Sequence, residues 1–75
     1  MKSSDIKIEK DMSMNHIVYV WNLQWVSVSK HKYKEDAEDI YNAILNGDKK
    51  EDIEEIIKNK DSRCNVFISK YFNNW

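Results

Sequence analysis

The sequence predicts an α+β fold: a two-layer, three-stranded antiparallel sheet in the order β-β-α-α-β, covered on one face by two helices. Three observations lead there. Residues 16–29 and 64–72 are rich in β-branched and aromatic types and show the period-two alternation of strands. Residues 34–60 instead repeat their apolar positions with the helical period of 3.6. The length of 75 residues allows one domain.

Residues 1–14 are polar, with Ile6, Ile8 and two methionines as their apolar content, and read as a flexible N-terminal arm. The sharper alternative is an edge strand through Ile6 and Ile8, which alternate with lysines and Glu9. Met12 and Met14 are later possible starts, which would make the arm dispensable. The single small domain is then 15–75.

The stretch HIVYVWNLQWVSVS at 16–29 is long for one strand, and a hairpin turning near Asn22–Gln24 is the economical solution. A three-residue loop opposes Val18 with Val28 and Val20 with Val26, placing all four valines on one face. Ile17, Tyr19, Trp21, Trp25 and Ser27 then occupy the other. A two-residue loop mixes the valines with Trp25, and a side-chain period of two leaves no intermediate.

Over 34–46, Ala37, Ile40, Tyr41, Ile44 and Leu45 form one helical stripe, and Asn46-Gly47 ends it. Asp48 opens a second helix with Glu51 in a capping-box spacing, and Ile53, Ile56 and Ile57 are its apolar stripe. Lys58 and Lys60 suit its C-terminal dipole end. One bent helix is the alternative. A third strand follows over 64–72, with Cys64, Val66 and Ile68 on one face and Asn65, Phe67, Ser69 and Tyr71 on the other.

The stretches VYVW at 18–21, VSVSKHKYKEDAEDI at 26–40 and VFISKYF at 66–72 resemble a scattered group of small phage and Firmicute β-β-α-β domains. That resemblance implies a two-layer α+β fold and a mobile-element origin. It carries over no catalytic or ligand residues.

Composition narrows the function classes. The apolar share of 41% exceeds what a disordered chain holds. No apolar run nears the roughly 18 residues of a membrane span, and no secretory signal is visible. One cysteine, Cys64, cannot staple the fold, which points to a reducing, cytoplasmic setting. Eleven lysines stand against one arginine, a usage that fits the AT-rich genome of a low-GC bacterium or its phage. His16, His31 and Cys64 show no metal-ligand spacing, and no nucleophile motif or glycine-rich loop occurs. The expectation is therefore no enzyme, no metal and no cofactor.

Two features remain for binding. Residues 35–55 hold nine acids against two lysines, a charge of −7, and the overall −1 leaves about +6 elsewhere. Glu35, Asp36, Glu38, Asp39, Glu51, Asp52, Glu54 and Glu55 are thus candidates for an acidic helical face that attracts a basic partner. Its bland reading is a solvated helix surface. The second feature is the aromatic sheet face of Tyr19, Trp21, Trp25, Phe67 and Tyr71, left open if the valines point inward. Its bland reading has those rings tucked at sheet edges. Together they predict a phage or mobile-element accessory protein that binds and inhibits or retargets a host protein, such as a defence or nucleic-acid-handling protein. A homo-oligomer joined through the sheet is the alternative. A single-stranded nucleic-acid module using the aromatics and the cluster Lys30, His31, Lys32 and Lys34 is a third reading, disfavoured by the near-zero net charge.

Overall fold

The structure, a computed structural model, describes residues 2–61 and 67–68, with the backbone alone for Asp61, Phe67 and Ile68. It is an α+β fold with an antiparallel sheet and two helices. Strand β1 spans Ile6–Lys10, β2 His16–Trp21 and β3 Trp25–His31; α1 spans Lys34–Asn46, α2 Lys50–Asp61, and β4 Phe67–Ile68. Among the described residues the sheet has four strands where the sequence predicted three, in the order β1-β2-β3-β4 with every neighbour antiparallel, because residues 6–10 add a strand. The rest of the strand predicted over 64–72, including Cys64, Val66 and Tyr71, lies outside the described residues.

Residues 6–10 do not behave as an arm. They pair with β2 along their whole length, from Ile6 opposite Val20 to Lys10 opposite His16. Ile6 is buried in the core and Ile8 packs partly buried against it. Alternation of two isoleucines with charged residues is sufficient for an edge strand, because only one face of it needs covering.

The β1–β2 turn is held by Asp11. Its Oδ1 accepts from the backbone N–H groups of Ser13 and Asn15, both at 2.9 Å. Met14 N–H donates to the Asp11 carbonyl, and Met14 takes the left-handed φ of 66°. A turn followed by one left-handed residue is a common three-residue hairpin loop, with methionine here where glycine is usual.

The β2–β3 hairpin has the predicted three-residue loop. Trp21 faces Trp25, Val20 faces Val26 and Tyr19 faces Ser27. The register then shifts by one: Val18 faces Ser29 instead of Val28. Val28 is the extra residue of a β-bulge, which breaks the alternation of β3 at that point. Val18, Val20 and Val28 are nonetheless fully buried, and Val26 packs against the same cluster. Beyond the bulge Ser29 and His31 turn inward too.

Helix α1 ends in a Schellman motif. The Gly47 N–H donates to the Ile44 carbonyl and the Asp48 N–H to the Ala43 carbonyl, each at 3.1 Å, with Gly47 at φ 86°. This break makes two helices rather than one bent one. Helix α2 begins at Lys50, slightly later than its sequence suggested: the Lys49 carbonyl accepts from Ile53 N–H, while the Asp48 carboxylate takes the Asn46 amide. Helix α1 packs on β1, β2 and β3, and α2 lies against α1 and β4. Ile40 and Ile44 from α1 and Ile53 and Ile57 from α2 close the core over the valines.

Candidate interaction surface

Side chains that alternate with the buried valines emerge on the other face of the sheet. There the two-residue period and the Trp21–Trp25 pairing bring both indoles together at the hairpin end. Their ring centroids lie 5.4 Å apart at 70°, an edge-to-face contact. The Lys7 ammonium from β1 sits 4.2 Å from the Trp25 centroid and 5.4 Å from that of Tyr19. It also pairs with Glu9, two residues along the same strand face. Such cation–π contacts contribute about 0.5–1 kcal/mol at exposed sites and fix ring orientation.

The cluster is partly open to solvent. Trp21 is 48% exposed and Trp25 38%, and Leu23 at the loop tip is 92% exposed. Leu23 also holds a left-handed φ of 65°, while the Asn22 N–H donates to the Gln24 carbonyl across the loop. A leucine gains nothing from either condition: water meets its side chain, and its Cβ crowds the backbone. Tyr19 is partly buried beneath Lys7. Of the five predicted aromatic residues, Tyr19, Trp21 and Trp25 share this face. The Phe67 side chain and Tyr71 lie outside what is described.

The acidic helical face is only in part what the charge count predicts. Glu35, Glu38, Asp39, Glu51, Asp52 and Glu55 are exposed and Glu54 is half-buried, but Asp36 is completely buried and cannot meet a partner. The reason lies in its helical position. Asp36, Ile40 and Ala43 stand at i, i+4 and i+7, so the carboxylate lies on the apolar stripe. On α2, Ile53, Ile57 and Lys60 repeat that spacing. The two charged ends meet: Lys60 Nζ lies 3.5 Å from Asp36 Oδ1 and 2.6 Å from Asp39 Oδ2. The Asp39 hydrogen bond is the main force holding the Lys60 pKa above its ordinary value. Between the helices an open groove of about 590 Å³ is lined by Asp39, Asn42, Ala43, Asn46, Asp48 and Ile56.

A polar pair lies inside the molecule next to that ion pair. His31 Nε2 and Ser29 Oγ are 2.7 Å apart, both fully buried. Among the described residues His31 Nδ1 has no hydrogen-bond partner. Burial pushes the His31 pKa down to about 4; Asp36 and Asp39 oppose that shift, and Lys60 and His16 add to it. Neither side chain meets solvent. Among the described residues no three His, Cys, Asp or Glu side chains gather as metal ligands would, and no helix is long and apolar enough to cross a membrane.

Sequence reasoning missed Lys7 and Leu23. Lys7 was invisible because its partner strand could not be assigned from a five-residue charged stretch. Leu23 gave a signal, an apolar residue at the middle of a three-residue loop without glycine. No protein-family model, curated protein or solved structure matches this chain.

Proposed function

We propose that this chain is a small binding module of phage or mobile-element origin that engages a bacterial host protein in the cytoplasm and inhibits or retargets it, without catalysis of its own. On this reading the two helices cover one face of the sheet and the opposite face is the contact surface. The observation that carries the proposal is the exposure of Trp21, Trp25 and Leu23 at one end of the hairpin, with the two indoles in edge-to-face contact and Lys7 over the Trp25 ring. Rigid aromatic groups lose little conformational freedom on binding and dominate the energetics of protein interfaces. The acidic helical side, without Asp36, is a steering surface that raises the association rate with a basic partner.

A nucleic-acid partner fits less well. Two of the cations are already engaged, Lys7 with Glu9 and Lys30 with Asp11 at 3.6 Å, and His31 of the predicted cationic cluster is buried, which lowers the gain from phosphate contacts.

Affinity capture from host lysate with identification by mass spectrometry tests this reading. The wild-type chain is expected to retain one stoichiometric host protein. Trp21→Ala with Trp25→Ala weakens that complex by about thirtyfold or more, as loss of an aromatic hot spot does. Reversing Glu51, Asp52 and Glu55 to lysine slows association and leaves dissociation nearly unchanged. Capture that survives the tryptophan changes and fails on charge reversal would transfer the contact to the helices.

A further inference from the structure

Among the described residues strand β1 is one of the two edges of the sheet, bonded to β2 on one side only. An open edge presents unpaired N–H and C=O groups that accept another strand, and lysines commonly guard such edges. Here the guard is incomplete. The strand reads Ile-Lys-Ile-Glu-Lys, with Lys7 and Glu9 two residues apart on one face and Ile6 and Ile8 on the other. Ile8 is only partly buried, so apolar surface remains at the edge.

Within Ile6–Lys10 the charges are complementary to themselves in one register. When two such strands meet antiparallel about a twofold axis through Ile8, Lys7 faces the partner's Glu9 and Glu9 faces the partner's Lys7. Ile8 meets the partner's Ile8 on the core side. Moving the axis to residue 7 opposes Lys7 with its own copy. Moving it to residue 9 opposes Glu9 with Glu9. A shift by a single position sets core faces against solvent faces. Parallel pairing in register opposes like charges throughout.

We propose that β1 is a homodimerisation edge, at which a second copy of this chain adds its own Ile6–Lys10 antiparallel and centred on Ile8, making one continuous sheet across two chains. Opposite charges directly across an antiparallel pair are favourable and like charges unfavourable, so the two Lys7–Glu9 contacts set both orientation and register. A chain of this size buries a modest core, and pairing with a second copy is one way to add to it. The twofold places the two Trp21–Trp25 clusters on the same side of the joined sheet, at opposite ends. The proposal does not depend on what those clusters bind.

Sedimentation velocity of the full chain at low salt, over a range of concentrations, is the test. The wild-type chain is expected to sediment at twice its mass of 9.0 kDa as concentration rises. Lys7→Glu alone and Glu9→Lys alone each weaken dimerisation by about tenfold or more, because two attractive cross-strand pairs become repulsive. Mixing these two variants restores a dimer, as does combining both changes in one chain. Circular dichroism matching the wild type shows that the single variants are folded. A wild-type chain that stays monomeric at every concentration overturns the proposal. So do single reversals that dimerise as well as wild type, or a mixture that remains monomeric.

Discussion

Leu23 occupies a backbone region that costs a β-carbon-bearing residue about 1–2 kcal/mol, and it is exposed as well. Folding has no use for a leucine there, which is the physical ground for assigning it to the contact surface. Leu23→Asn keeps the turn, because asparagine tolerates positive φ, and avoids the added chain freedom of glycine. The expected result is a stability unchanged or raised by up to about 1 kcal/mol in urea unfolding, together with weaker partner capture. A loss of stability would show that Leu23 serves the fold after all. The tryptophans were legible from the parity of the hairpin. The strained loop was not, since positive φ is normally announced by Gly or Asn and neither stands at position 23. Asp36 was misplaced because a charge count ignores helix phase, although its spacing from Ile40 and Ala43 held the answer.

Strand β1 turns a stretch with few apolar residues into part of the core. Ile6 is only 3% exposed, beneath α1. Ile6→Ala is therefore expected to cost about 2–4 kcal/mol in denaturant unfolding. A mobile arm would give no change. The helices and the β2–β3 hairpin were readable because each carries a long periodic signal, and Gly47 marked the break between α1 and α2. Five residues with three charges carry too short a signal to separate strand from arm. The bulge was hidden for another reason: the serines at 27 and 29 look equivalent in a strict alternation, yet only Ser29 is fully buried.

At the scale of the molecule, β3, α1 and α2 meet around His31, Asp36 and Lys60, and that junction makes stability depend on pH. His31 has its folded pKa lowered to about 4 from 6.5. Between these values the unfolded chain binds the proton and the folded chain resists it. Stability is thus full above about pH 6.5 and falls as pH drops toward about 4, by about 3 kcal/mol. Asp11 adds a loss at lower pH. Its pKa is depressed below 3.8, chiefly by the Asn15 backbone hydrogen bond, so its contribution disappears as pH falls through the folded value. Urea titrations across this range should show the slope, and His31→Gln should remove the part between pH 6.5 and 4. An unchanged slope in that variant would assign the acid sensitivity elsewhere. The sequence suggested His31 as part of an exposed cationic cluster with Lys30, Lys32 and Lys34, because its inward orientation depends on the bulge.

The extra residue at Val28 means that β3 obeys two opposite parities in one strand. Deleting the Val28 codon would therefore straighten the strand without inverting it: Ser29 would still face Val18, Lys30 would still face Ile17, and His31 would still face His16. What the chain would lose is the Val28 side chain from its core. A one-residue deletion at that position spares the ladder and is felt in the packing.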